Sequence, residues 1–206
     1  HDLDFIKLDV QGYEFNILKG SNNSLKKTIG IEIECEISEM YINQPLFSDV
    51  NNFIQSKKFE LFDLKRYYWK RKNGSITNNK KGQLVFVDAL YLKSPECIIN
   101  DYSSNIKKLI KSYYIYLYYG YTDLARIILS YIQKKNLLSL NEIKNLNLNI
   151  NNIDKSKFVL PNFIGKRILK KIFQRIANLF VSTHIYNKQI EWERNHYLGN
   201  DQDLGN

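Results

Sequence analysis

Asp9 and Glu14 flank a glycine in the run Phe5-Ile6-Lys7-Leu8-Asp9-Val10-Gln11-Gly12-Tyr13-Glu14, and a third carboxylate, Glu34, sits near the end of the next apolar alternation. The run reads as a buried strand that enters an acidic, glycine-broken turn. Open α/β sheets bind ligands in the crevice beyond the carboxyl ends of their strands, so Asp9 is a candidate by position as well as by type. Carboxylates gathered at one crevice raise one another's pKa and make one of them a better general base. Hard cations prefer oxygen ligands too, so the same three side chains could hold a metal; the reading taken is proton transfer, with no metal. His1, His184 and His196 match no zinc spacing. No Ser or Cys nucleophile can be assembled with any of them.

Each candidate has a plainer alternative. Asp9 could be a helix N-cap, and Glu14 could simply favour the positive end of the same helix. Glu32 and Glu36 read as the solvated face of a strand. Lys7 shares the strand face of Asp9 by the period-two rule, so it is either a substrate contact or half of a buried Lys–Asp pair.

The elements that must position these groups follow from periodicity. Asp4 to Val10 is a strand, and Tyr13 to about Lys19 is a short helix stopped by Gly20. Ile29 to Ile37 alternates Ile31, Ile33, Cys35 and Ile37 against Glu32, Glu34 and Glu36, which predicts a second strand. Ser48 caps a helix to about Ser56, and Phe59 to Arg71 and Leu84 to Lys93 are two longer strands joined by a turn-rich basic stretch. The order β-α-β-α-β-β predicts parallel strands and a closing hairpin that inserts one antiparallel strand. After Ser94-Pro95 the pattern is helical: Asn105 to Tyr119, a second helix capped by Thr122, a weaker one from Ser139 to about Leu146, an Asn-rich loop, a long helix from Asn162 to about Phe180, and a last one over 183–198. The first helical pair is similar to a tetratricopeptide hairpin, as a single copy without a repeat period.

The chain has 206 residues, 44% of them hydrophobic and 14% aromatic, enough for a globular core. Its net charge of +9 is lopsided: residues 1–96 carry 14 basic and 13 acidic groups, residues 97–206 carry 16 and 8. Such charge attracts anionic partners but does not specify a fold. Cys35 and Cys97 match no metal or redox spacing, so both are expected as reduced, buried thiols in a cytoplasmic protein. No apolar run approaches the roughly 18–20 residues that span a bilayer. The chain opens on His1 and reaches an interior strand at once, which is the expectation for a sequence cut within a domain.

Five blocks in order carry a resemblance: Ile6 to Glu14 with Leu18-Lys19-Gly20; the strand containing Glu34; Tyr41-x-x-Gln44-Pro45-Leu46-Phe47; Phe59 to Leu64; and Asp88-Ala89-Leu90-Tyr91-Leu92. Together they resemble the C-terminal half of an FkbM-type methyltransferase over residues 1 to about 93. The resemblance implies an α/β fold: strands four to seven of a Rossmann-like methyltransferase sheet in residues 1–95, followed by an all-helical extension in 96–206. It further implies S-adenosylmethionine as cofactor and O-methylation of a hydroxyl on a glycan or secondary metabolite. Asp9, Glu14 and Glu34 are then the catalytic candidates, Asp9, Val10 and Gln11 the cofactor contacts, and Lys7, Tyr41 and Gln44 the substrate contacts. The Gly-rich turn that holds the cofactor in such enzymes has no counterpart in this sequence, so the piece alone is expected to be inactive.

Two other classes stand beside this reading. Residues 163–180 place Ile164, Ile168, Leu169, Ile172, Phe173, Ile176 and Phe180 opposite Lys166, Arg167, Lys170, Lys171 and Arg175. Such a basic amphipathic helix suits peripheral docking on an anionic membrane, as a non-catalytic scaffold would use it, or packing with a solvated basic face. The run Lys65 to Lys72 interleaves bases and aromatics as single-strand binders do, but reads more simply as an exposed strand, and no nucleic-acid partner is expected.

Overall fold

The structure is a computed structural model that describes residues 3–69 and 82–155, together with 168–169 and 172–173. Its elements run β1 (Phe5–Leu8), α1 (Glu14–Gly20), α2 (Asn22–Lys27), β2 (Gly30–Glu36), α3 (Phe47–Gln55), β3 (Glu60–Trp69), β4 (Gln83–Leu92), α4 (Pro95–Tyr102), α5 (Ile106–Tyr118), α6 (Thr122–Lys134) and α7 (Leu140–Lys155). The four strands form one mixed open sheet in the order β1-β2-β4-β3. β1 and β2 are parallel, and β4 runs antiparallel to both β2 and β3, so the hairpin inserts its second strand between β2 and β3.

The strict alternation of β2 sends its two residue sets to opposite faces. Ile31, Ile33 and Cys35 meet Val87, Ala89 and Tyr91 of β4, and Leu18, Leu25, Val50 and Ile54 of α1 to α3 close over them. On the other face, Ile29, Leu90 and Leu92 share a core with Ile98, Leu109, Tyr113, Tyr116, Ala125 and Ile128 of α4 to α6. The helical extension is thus the second apolar cover of the sheet. Tyr116 donates its buried hydroxyl to the Lys93 carbonyl at 2.6 Å, and Asp4 pairs with Lys108 at 2.8 Å and with Lys111. These bonds fasten α5 to the one end of the sheet where β1 begins and β4 finishes.

Several local expectations change. Gly20 is the last residue of α1, and an unforeseen α2 follows directly; Ser21 closes one helix and opens the next. α3 begins at Phe47 rather than after Ser48, because Asp49 reaches back to accept the Leu46 N–H at 3.0 Å. Thr122 makes no side-chain cap and is the first residue of α6. Asn105, in contrast, does cap α5, accepting the Lys108 N–H at 3.1 Å. The Asn-rich stretch expected as a loop is the second half of α7, since Ile143, Leu146 and Ile150 recur on one face and bury against the core. Cys35 is buried, whereas Cys97 is half-buried, and both are free thiols. No helix among the described residues is long and apolar enough to cross a membrane. The helix read over 163–180 lies outside the described residues apart from Ile168, Leu169, Ile172 and Phe173, which are helical and exposed; the segments 70–81 and 183–198 lie outside them altogether.

Candidate active site

The turn after β1 is built from two successive left-handed residues, Gln11 at φ 59° and Gly12 at φ 94°. Gly12 suits that conformation; for Gln11 it costs about 1 kcal/mol, and such outliers persist where surrounding contacts hold them. The holding contact is Glu14, whose buried carboxylate accepts the Val10 N–H at 2.6 Å. Glu14 therefore closes the turn from below. Asp9 stands exposed at its start and is no helix cap, since α1 begins at Glu14 with Tyr13 as its N-cap.

Tyr41 and Gln44 reach the same turn from the loop after β2. The Tyr41 hydroxyl donates to Gln11 Oε1 at 3.3 Å. A side chain on Gly12 would come within 3.0 Å of Tyr41 Cδ2 and 3.3 Å of Gln44 Nε2, so the glycine permits this close approach. Gln44 Oε1 accepts the Met40 and Tyr41 N–H groups at 3.0 and 3.1 Å, which folds the loop back on itself.

Beside the turn, on the sheet face that α4 to α6 cover only in part, lies a cleft of about 290 Å³. Asp9, Glu34 and Asp88 line it together with Lys7, Glu32, Lys65, Tyr67 and Phe86. Cross-strand register explains the grouping: Lys7 faces Glu32, Glu34 faces Asp88, and Asp88 faces Lys65 on its other side. Lys65 and Tyr67 reach this face through the irregularity between Leu61 and Asp63, where the extra residue Phe62 shifts the alternation of β3.

The charges in the cleft are unequally served. Lys7 donates to Glu32 Oε1 at 2.6 Å, and the Tyr119 hydroxyl donates to Glu32 Oε2 at 2.8 Å. Lys7 is thus exposed and paired with Glu32, which rules out the alternative of a buried Lys7–Asp9 pair; Glu32 is the nearer carboxylate because it is Lys7's direct partner across the parallel strands. The Lys7 ammonium and the Tyr119 hydroxyl hold Glu32 below the usual carboxylate range against the opposing effect of burial. Asp88 accepts the Tyr67 hydroxyl at 2.7 Å and lies 3.6 Å from the Lys65 ammonium. Glu34 has no such donors among the described residues. Burial, followed by the charges of Asp9, Glu36, Asp88 and Glu14, pushes its carboxyl up to about 7.

Glu36 was expected on a solvated face and is instead only 3% exposed, with Oε1 lacking a hydrogen-bond partner. Burial first, then Glu14, raises its pKa, while the amide of Gln44 beside it works in the opposite direction. Gln44 Nε2 likewise lacks a hydrogen-bond partner. Among the described residues, no group of three or more His, Cys, Asp or Glu converges closely enough to hold a metal ion.

A carboxyl lifted to about 7 in an acidic cleft beside a left-handed turn is chemically capable of exchanging a proton near neutrality. Residues 1–61 match the methyltransferase FkbM domain. The FkbM-like segment contains Lys7, Asp9, Val10, Gln11, Glu14, Glu34, Tyr41 and Gln44, and it ends at the start of β3. Asp88, Lys65 and Tyr67 lie beyond it. Comparison with curated proteins and with solved structures returned no match.

The structure divides the sequence candidates into two groups. Asp9, Glu34 and Lys7 line the cleft, whereas Glu14, Gln11, Tyr41 and Gln44 build the turn that borders it. Sequence reasoning missed Asp88, Lys65, Tyr67 and Glu36 as parts of the site. The signals for Asp88 were its place at the head of the fifth resembling block and its position two residues from Phe86 and Leu90 on a single strand face.

Proposed function

We propose that this chain carries the acceptor side of an S-adenosylmethionine-dependent O-methyltransferase, with Glu34 removing the proton of a hydroxyl on a glycan or secondary metabolite. The observation that carries the reading is Glu34 itself: a half-buried carboxyl at the end of a central strand, lifted to about 7, in the segment that matches the FkbM domain. A base is most effective when its pKa lies near the working pH, and a positioned one contributes about 100-fold to 10,000-fold. Asp9, at the mouth of the same cleft, is placed to accept a hydrogen bond from the acceptor hydroxyl. The order β1-β2-β4-β3, with one inserted antiparallel strand, supports a Rossmann-like sheet, of which residues 1–95 supply strands four to seven.

The residues described do not by themselves make a site for S-adenosylmethionine. Gly12 stands alone in its turn, the carboxylate of Glu14 already fills the space beneath it, and both cleft lysines are paired with carboxylates. A cradle for the nucleoside and a partner for the methionine carboxylate are missing from this set. The cofactor would bring the activated methyl group; the work of these residues is to seat the acceptor, orient its hydroxyl and take its proton. Holding reactants in attack geometry can supply up to about 7–11 kcal/mol, more than the base alone.

Calorimetric titration tests the division of labour. Residues 1–206 alone should show no heat of binding with S-adenosylmethionine, and the same chain joined to a segment bearing a strand and a glycine-rich turn should bind it. Tight binding by residues 1–206 alone would overturn the acceptor-side assignment.

A further inference from the structure

We infer that Asp88 is a positioning residue for Glu34: Tyr67 and Lys65 fix its side chain directly across the sheet from Glu34, where its like charge makes the Glu34 carboxylate a stronger base toward an acceptor hydroxyl. The inference rests on the reading of Glu34 as the acceptor base and adds to it a residue beyond the FkbM-like segment.

Three geometric facts carry it. Glu34 and Asp88 are direct partners in the antiparallel pairing of β2 and β4, a placement in which like charges disfavour each other. Both line the same open cleft, so the repulsion is not relieved by turning either side chain into the core. The partners are all on one side: the Tyr67 hydroxyl donates to Asp88 at 2.7 Å, and the Lys65 ammonium is its ion-pair partner at 3.6 Å. A carboxyl without such partners beside a like charge has the greater affinity for a proton. The Tyr67 ring is in turn fixed by stacking on Phe86, with centroids 4.5 Å apart and planes 11° from parallel. Tyr67, Asp88 and Glu34 thus form a chain from a packed ring to the base.

The other groups facing Glu34 set the background. Asp9 at the end of β1, Glu36 on β2 and Glu14 on α1 push in the same direction as Asp88. Lys7 is taken up by Glu32, and Asp9 is exposed at the cleft mouth, where water screens it. Glu36 has its own pKa raised by burial, which reduces the charge it presents. Asp88 is the member of this group held in place by both a hydrogen bond, from Tyr67, and an ion pair, with Lys65.

The test is a carbon-13 NMR titration of the Glu34 side-chain carboxyl in the full chain without substrate, for the native sequence, Asp88→Asn and Lys65→Met. Asp88→Asn should lower the Glu34 midpoint by about half a unit, about threefold in proton affinity, and Lys65→Met should raise it, because the Asp88 charge then acts without its counter-ion. Opposite shifts from two neighbouring substitutions are not the signature of general loosening, and Lys65, being exposed, provides a variant that folds even where Asp88→Asn does not. An unchanged Glu34 midpoint in folded Asp88→Asn, or a fall in Lys65→Met, overturns the inference. These shifts are read without turnover, so a protein that shows them, while Glu34→Gln leaves methyl transfer by the chain joined to a cofactor-binding segment unchanged, would refute the base reading and leave the role of Asp88 intact.

Discussion

Glu34 and Asp88 face each other across β2 and β4, and the hydroxyl donor and the ion-pair partner of the pair, Tyr67 and Lys65, both belong to Asp88. The sheet therefore places two carboxyls in different surroundings: Asp88 anchored by its partners, Glu34 half-buried and lifted to about 7. A like-charge pair in direct register weakens a sheet. Here the pair lies at the open cleft near the strand ends.

That difference makes stability depend on pH with a definite sign. The Glu34 carboxyl lies higher in the folded chain, at about 7, than its unperturbed value of 4.5, so protonation favours folding. The stabilisation is fully present below about pH 4.5 and is lost as pH rises through about 7. Because the group is half-exposed, solvent screening reduces the effect to about 1 kcal/mol. Urea unfolding of the native chain and Glu34→Gln should show the variant gaining about 1 kcal/mol relative to the native chain between pH 5 and pH 8. A pH-independent difference would contradict the raised pKa.

The turn beneath the cleft leaves no room for a side chain at Gly12. Gly12→Ala combines a φ of 94° with a contact of 3.0 Å to the Tyr41 ring, and the expected loss of stability is about 1–3 kcal/mol. Thermal unfolding reads this directly. A melting temperature equal to the native value would show that the turn adapts freely.

The link between the helical extension and the sheet has its own test. Tyr116 is fully buried, and its hydroxyl donates to the Lys93 carbonyl at 2.6 Å. Tyr116→Phe leaves that carbonyl without its partner and should cost about 1–3 kcal/mol in chemical unfolding, with the ring packing preserved. A neutral result would mean that water or another donor replaces the hydroxyl.

The turn and the alternation of β2 were legible in the sequence because local rules govern them: a strand end, a glycine and a strict period of two. The site as a whole was less so. A single extra residue at Phe62 reverses the faces of the rest of β3, and with it the placement of Lys65 and Tyr67, which period-two reading from Leu61 would send to the opposite side. Lys7 found Glu32 rather than Asp9 because its partner was decided by strand register and not by spacing along its own strand. Glu36 looked solvated by alternation, yet it is buried, with Gln44 of the loop that follows β2 beside it. α7 ran past its expected end because burial of Ile150 outweighed the weak helix preference of the asparagines around it.

The most direct measurement of the central claim is transfer of an isotopically labelled methyl group from S-adenosylmethionine to a panel of hydroxyl-bearing acceptors, using the chain joined to a cofactor-binding segment, with Glu34 and with Glu34→Gln. The account predicts label on oxygen with the native residue and a rate about 100-fold to 10,000-fold lower in the variant, at an undiminished affinity for the cofactor. Equal rates for the two proteins would contradict it.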